Sequence, residues 1–253
     1  MEIVKTNIPS SRGSLAAAIH YPEQKTGRLA ILCPGYLDSK DYKHLVGLAE
    51  ELDKQGYTVV RFDPTGTWES EGHIADYTTT QYLEDIKHVL EYMLKQEDYT
   101  YILVGGHSRG GQVSILYAAR DPRISVVLGI MPSSRSSMAK ERPEKREETG
   151  VSVSHRDVPG NKDEEKEFRV PYSQVEDRDR YDVAEDVKKI KAPVILIAGE
   201  LDDLVFPEDV KEIFDNANEP KKFIAIPGIG HDYRHNDGEI NVVNKSILEQ
   251  LNA

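Results

Sequence analysis

The sequence predicts an α/β fold: an eight-stranded, mostly parallel sheet with helices on both faces and one inserted lid. Three observations carry this expectation. Short apolar runs alternate with stretches of helical period, the pattern of a parallel sheet wrapped by helices. One such run leads through a glycine-flanked turn directly into an apolar helix at residues 101–119. A single long stretch, rich in Lys, Arg, Asp and Glu, interrupts the alternation between residues 134 and 191.

Taken in order, Glu2 to Ile8 and Ser14 to Tyr21 read as an antiparallel opening pair. The central strands are Leu29 to Cys33, Thr58 to Phe62, Tyr101 to Gly105, Ser125 to Ile130, Val194 to Ala198 and Lys222 to Ile226. Between them, Leu45, Leu48, Ala49 and Leu52 fall on one helical face. So do Tyr82, Ile86, Val89, Leu90 and Met93, and at the end of the chain Ile240, Val243, Ile247, Leu248 and Leu251. Residues 1–133 and 192–253 therefore make the core, and 134–191 an insertion. Inside the insertion, residues 151–154 and 168–170 alternate like two short strands joined around Pro159, Gly160 and Asn161. Long connections in compact domains serve as functional lids or disordered linkers, and a lid over the C-terminal edge of the sheet is the expectation here.

A chain of 253 residues suits one sizeable core with an insertion. Hydrophobic residues make up 38% and charged residues 30%, the balance of a soluble protein with a charged surface. No run approaches 18 uncharged apolar residues, and residues 1–6 lack the basic-then-apolar order of a secretory signal. The single cysteine, Cys33, cannot form an internal disulfide, so a cytoplasmic location is the simplest expectation. The net charge of −12 counts against nucleic acid or an anionic membrane as partner, since both call for a basic face.

The stretch from Tyr101 to Gly111 contains Gly106-His107-Ser108-Arg109-Gly110, a Gly-x-Ser-x-Gly motif at a strand-to-helix turn. That context holds a serine hydroxyl above the sheet edge on a strained backbone. Glycines at 106 and 110 fit because a Cβ there would meet the neighbouring strand or helix. The following helix start brings N–H groups and the positive dipole end beside the reacting centre. A serine hydroxyl is a poor nucleophile at neutral pH and needs a base, which needs an orienting carboxylate. His231 follows two glycines in a loop after the strand ending at Ile226, a good place for a base; His235 is the reserve candidate. Asp202 follows the strand ending at Ala198, and the order Ser, Asp, His suits the fold. Its neighbour Asp203 is the alternative acid, or a cap for the helix starting near Pro207. The oxyanion of acyl transfer needs two donors, one of them the backbone N–H of Arg109.

The loop Cys33 to Lys40 completes the set, and these motifs resemble those of the α/β hydrolases over nearly the whole chain. The resemblance is greatest to lid-bearing esterases and serine-aminopeptidase-like hydrolases, the group that includes cinnamoyl and feruloyl esterases. It implies an α/β-hydrolase fold and a serine hydrolase of small ester molecules that uses no cofactor and no metal. Relatives carry His-Gly-Phe where this chain has Pro34-Gly35-Tyr36, which makes the N–H of Tyr36 the second oxyanion donor. Residues 61–72 are similar to the family's Asp-x-x-Gly-x-Gly-x-Ser stretch, with Trp68 in place of the second glycine. The relatives' lid follows the sixth strand, where the 134–191 insertion sits. Its aromatics Phe168, Tyr172 and Tyr181 either line a substrate pocket or pack the lid on the core. Other readings stay open: an amide or thioester substrate, or a ligand-binding receptor or scaffold with little turnover. A peptidase of free amino termini would need acidic groups such as Glu176 and Asp177. His231, His235 and Asp232 have a spacing that can hold a metal, but the glycines before them argue for a loop, and no metal is expected. An exposed lid and an edge strand are both common dimer contacts, so a homodimer stays open.

Overall fold

The computed structural model describes residues 2–134 and 150–252; the part of the insertion at 135–149 lies outside them. The strands are Glu2–Ser10 (β1), Gly13–Tyr21 (β2), Arg28–Cys33 (β3), Tyr57–Phe62 (β4), Tyr101–His107 (β5), Val126–Ile130 (β6), Val151–Val158 (β7), Asn161–Pro171 (β8), Val194–Gly199 (β9) and Lys221–Ile226 (β10). Eight of them form one sheet in the order β1-β2-β4-β3-β5-β6-β9-β10. The pairs β1/β2 and β2/β4 are antiparallel, and from β4 to β10 every pair is parallel. The helices are Lys43–Lys54 (α1), Thr79–Leu94 (α2), Arg109–Ala118 (α3), Ser173–Arg178 (α4), Val183–Asp186 (α5), Pro207–Asn216 (α6) and Asp237–Leu251 (α7). None is long and apolar enough to cross a membrane.

The period-2 geometry of a strand sorts each apolar run onto two faces. Along β3, Leu29, Ile31 and Cys33 join one cluster with the buried faces of α2, α3 and α6, while Ala30 and Leu32 join another with α1 and α7. The same split recurs in β9, with Val194, Leu196 and Ala198 against Ile195 and Ile197. Strands covered on both faces can be apolar throughout, which is why these runs stand out in the sequence.

The remaining strands, β7 and β8, make a separate antiparallel hairpin that runs from Val151 opposite Pro171 to Val158 opposite Asn161. It is longer than the two short strands expected, because its outer half, Lys162-Asp163-Glu164-Glu165, is exposed and carries no apolar alternation to read. After it, α4 and α5 pack onto α2 and α3.

Parallel pairing brings the ends of β3 and β5 together, with Cys33 opposite Gly106. A Cβ on Gly106 or Gly110 would overlap the Cys33 carbonyl. Gly110→Ala should therefore destabilise the protein by at least about 3 kcal/mol, the upper range for overpacking, because backbone cannot yield as a side chain can. Urea unfolding would register this; a wild-type midpoint would show that the approach is looser than described.

Candidate active site

Ser108 sits on the turn between β5 and α3 with φ 54° and ψ −117°, a conformation that L-residues rarely adopt. Leu37, Trp68 and Met131 share the positive φ, at 57°, 41° and 46°. All four follow the C-terminal ends of strands, β3, β4, β5 and β6 in turn. Each such residue costs about 1–3 kcal/mol and persists only where its surroundings over-determine it. Here Ser108 N donates to Ile130 O at 2.8 Å, Ser133 N donates to Ser108 O at 3.2 Å, and Met131 N donates to Ile197 O at 2.7 Å.

The three residues singled out for acyl transfer converge. His231 Nε2 lies 3.0 Å from Ser108 Oγ, and His231 Nδ1 lies 2.7 Å from Asp202 Oδ2. The other oxygen of Asp202 accepts from the N–H groups of Leu204 and Val205, at 2.9 and 2.8 Å, which fixes a carboxylate whose side chain is fully buried. Asp203 is exposed and makes no such contact, nor does it cap α6, where Asp209 accepts from Phe206 N at 3.2 Å. Ser133 Oγ stands 3.3 Å from Ser108 Oγ. His235, the reserve base, is exposed on a single turn of 3₁₀-helix.

Every backbone carbonyl from Pro34 to Leu37 accepts from a side chain. Tyr82 Oη donates to Pro34 O at 2.8 Å, Tyr77 Oη to Gly35 O at 3.4 Å and Trp68 Nε1 to Leu37 O at 2.9 Å, while Arg156 reaches Tyr36 O from the hairpin. Trp68, at the glycine position of the motif, has a positive φ that glycine favours; the indole bond to Leu37 O and edge-on contacts with Tyr42 and Phe168 hold it there. Among the described residues, no acceptor stands at the N–H of Tyr36. Arg109 opens α3, where backbone donors have no partner within the helix.

Behind His231 lies a buried group that the sequence did not announce. The His107 ring is 4.7 Å from that of His231, His44 is 5.3 Å beyond it, and Asp38 Oδ2 is 4.0 Å from His107 Nδ1. Signals existed, since His107 lies inside the serine motif and Asp38 inside the oxyanion loop. Burial works against the Asp38 charge, but the His107 ring and the Arg234 guanidinium outweigh it and hold this carboxyl well below the usual range. Donor atoms of Asp38, His44 and His107 lie within 4.8 Å of one another, a composition suited to a divalent cation. Arg234 and Arg156 already oppose the same carboxylate, at 3.7 and 3.8 Å. His231, His235 and Asp232 form no comparable group among the described residues.

Two of the three aromatics of the insertion, Phe168 and Tyr181, are engaged in packing and pairing with the core. Phe168 is 4% exposed and packs edge-on against Trp68 at 5.5 Å, so it belongs to the core. Tyr181 Oη pairs with Thr80 Oγ1 at 2.8 Å, with Arg120 over its ring. Tyr172 is half-buried at the N-terminus of α4. Asp177 accepts from the backbone and hydroxyl of Thr80 at the start of α2, which ties it to structure, while Glu176 is exposed.

Comparison with known proteins agrees with this geometry. The model of the serine aminopeptidase S33 family matches residues 24–163, more than half of the chain. The chain belongs to that family. It is 25% identical over 178 residues to the mitochondrial palmitoyl-protein thioesterase ABHD10 of mouse, covering 69% of this chain and 59% of the relative. It thus spans about three fifths of the length of the curated relatives it matches first. Ferulic acid-bound Est1E of Butyrivibrio proteoclasticus superposes with a TM-score of 0.76 at 24% identity, over 98% of this chain and 100% of that one. The α/β hydrolase GrgF of Penicillium sp. sh18 gives 0.78 at 19%, over 98% and 97%. The structural likenesses show the α/β-hydrolase fold, and the sequence match shows membership of the S33 family.

Three buried imidazoles give a pH dependence of known sign. Burial, with the Arg61 charge, lowers His20 to about 4; burial, with the neighbouring His107, lowers His44 to about 3; burial also lowers His107. The unfolded chain therefore binds these protons more readily than the folded one. Their contribution is complete above the ordinary value of 6.5 and is lost as pH falls through it. Asp85, raised to about 6 by burial, works the other way for one proton. Stability in urea should fall between pH 7 and pH 5, each ring contributing at most about 1.4 kcal/mol per pH unit. His44→Asn should flatten the slope; an unchanged slope would mean that this ring is protonated in the fold.

Proposed function

We propose that the chain is a serine hydrolase that cleaves carboxylic esters of small soluble molecules through an acyl-enzyme on Ser108. The observation that carries this is the 3.0 Å approach of His231 Nε2 to a serine hydroxyl held on a strained turn. With Nδ1–H donated to Asp202, the Nε2 lone pair faces Oγ and takes its proton as Oγ bonds to the ester carbonyl carbon. The charge developing on the carbonyl oxygen is met by the N–H groups of Tyr36 and Arg109, the latter at the positive end of α3. The imidazolium, stabilised by Asp202, then protonates the departing alcohol as the C–O bond breaks. Water repeats the sequence with His231 as base and frees the acid. Residues 134–191 act as the lid, and Tyr172 is the insertion's candidate for lining the substrate site.

A thioester substrate is the second reading, favoured by the 25% identity to a palmitoyl-protein thioesterase. The same residues would serve, with a thiolate as the leaving group.

Ser108→Ala should abolish labelling by a fluorophosphonate probe and lower kcat/KM on short p-nitrophenyl esters by about a thousandfold or more. Asp202→Asn should lose at least about a thousandfold, while Asp203→Asn should stay near wild type. A panel of oxygen esters and matched thioesters decides between the two readings. Wild type and Ser108→Ala turning over alike would overturn both.

A further inference from the structure

The turn that carries the Tyr36 N–H is held from the inserted hairpin, and the importance of that hold rests on the oxyanion role proposed for this N–H. Asp38 N donates to Gly35 O at 3.2 Å and closes a four-residue turn whose third residue, Leu37, has φ 57°. Positive φ at that place marks a type II turn. The type I form differs by a half-rotation of the Tyr36–Leu37 peptide and would return Leu37 to negative φ. A leucine gains nothing sterically from the type II form, so groups outside the turn must hold that peptide. Tyr77 Oη accepts from Leu37 N at 3.0 Å and holds one end of it. Arg156 holds the other, with Nε and Nη2 donating to Tyr36 O at 3.2 and 3.1 Å.

Arg156 is itself well located. It lies on β7, its guanidinium is 3.8 Å from the buried Asp38 carboxylate, and its Cζ stands 5.8 Å from the centre of the Tyr36 ring. The next residue, Asp157, ties the same strand to the core, its carbonyl accepting from Tyr42 Oη at 2.7 Å and its carboxylate pairing with Arg234 at 3.0 Å. On the partner strand, Lys166 Nζ donates to Trp68 O at 2.9 Å, and Trp68 in turn holds Leu37 O.

The geometry points to Arg156 as a positioning residue for the oxyanion site: from the inserted hairpin it holds the Tyr36 carbonyl, and so fixes the turn whose preceding peptide, Gly35–Tyr36, carries the N–H that meets the oxyanion. The hairpin is then part of the catalytic apparatus and not only a cover. A planar donor pair on one carbonyl is a guanidinium property, so lysine should replace it only partly.

The test compares wild type, Arg156→Met, Arg156→Lys and Arg156→Gly, with Arg169→Ala as a control on the exposed face of the same hairpin. Each is measured for ester turnover, for thermal unfolding and for affinity to a trifluoromethyl ketone, whose adduct with the serine hydroxyl places an oxyanion in the site. Arg156→Met should lower kcat about 30- to 100-fold with KM within about twofold, somewhat less than outright loss of an oxyanion donor. Ketone affinity should weaken by the same factor. Arg156→Lys should fall between, methylguanidine should restore part of the Arg156→Gly activity, and Arg169→Ala should match wild type. If Arg156→Met does not fold, the lysine variant and the methylguanidine titration carry the same decision. Wild-type kcat and ketone affinity in the Arg156 variants, or losses confined to thermal stability and KM, would overturn the inference. A wild type that neither turns over esters nor reacts with a fluorophosphonate would instead overturn the hydrolase mechanism on which it rests.

Discussion

The site depends on how near the end of β3 comes to the turn after β5. The Cys33 carbonyl leaves no room for a Cβ on Gly106 or Gly110, and that contact sets the loop from Pro34 to Lys40 beside the first turn of α3. One strand end therefore supplies Tyr36 and its neighbour supplies Ser108 and Arg109. A second close approach completes the register. A Cβ on Gly199 would meet the Ile229 carbonyl, and Leu201 N donates to that same oxygen at 2.9 Å. This brings the Asp202 loop against the His231 loop. Backbone in contact with backbone tolerates little drift, which suits groups that must hold hydrogen-bond distance across 123 residues of sequence.

Charge holds what packing leaves loose. Asp38 is 7% exposed and faces His107 of the serine turn, Arg234 of the base loop and Arg156 of the hairpin. One carboxylate shared by three segments constrains each of them by the others. Four non-glycine residues with positive φ at successive strand ends mark the same region as strained; bonds from Tyr77, Tyr82, Trp68 and Arg156 hold the turn at Leu37, and backbone bonds hold Ser108 and Met131. Rigid support of this kind is what preorganised electrostatic catalysis requires.

The sheet was legible because strands buried on both faces are mostly apolar along their length, as β9 and, from Leu29 on, β3 are. Ser108 and His231 were legible because glycines mark the turns that carry them. Between Asp202 and Asp203 the sequence could not decide on physical grounds: both follow the same strand, and only the N–H groups of Leu204 and Val205 single out the first. Bonds from side chain to distant backbone have no period and no fixed spacing, so the roles of Tyr77 and Arg156 left no trace. From the sequence Phe168 could line a pocket or pack the lid on the core, and the edge-on contact with Trp68, 100 residues earlier, shows the packing role. The charged outer half of the hairpin hid its length for a simpler reason, since a solvated strand needs no apolar alternation.

In the proposed mechanism the hydroxyl of Ser108 becomes acylated because three separate segments hold it in register with an imidazole and a carboxylate. Rapid quenching of the wild-type protein with an activated ester, followed by mass analysis of its peptides, tests this directly. A burst of about one alcohol released per chain, with the acyl mass on the peptide containing Ser108, is the expected result. Turnover with a burst but with the acyl group on another residue, or with no acylated peptide at all, would contradict it.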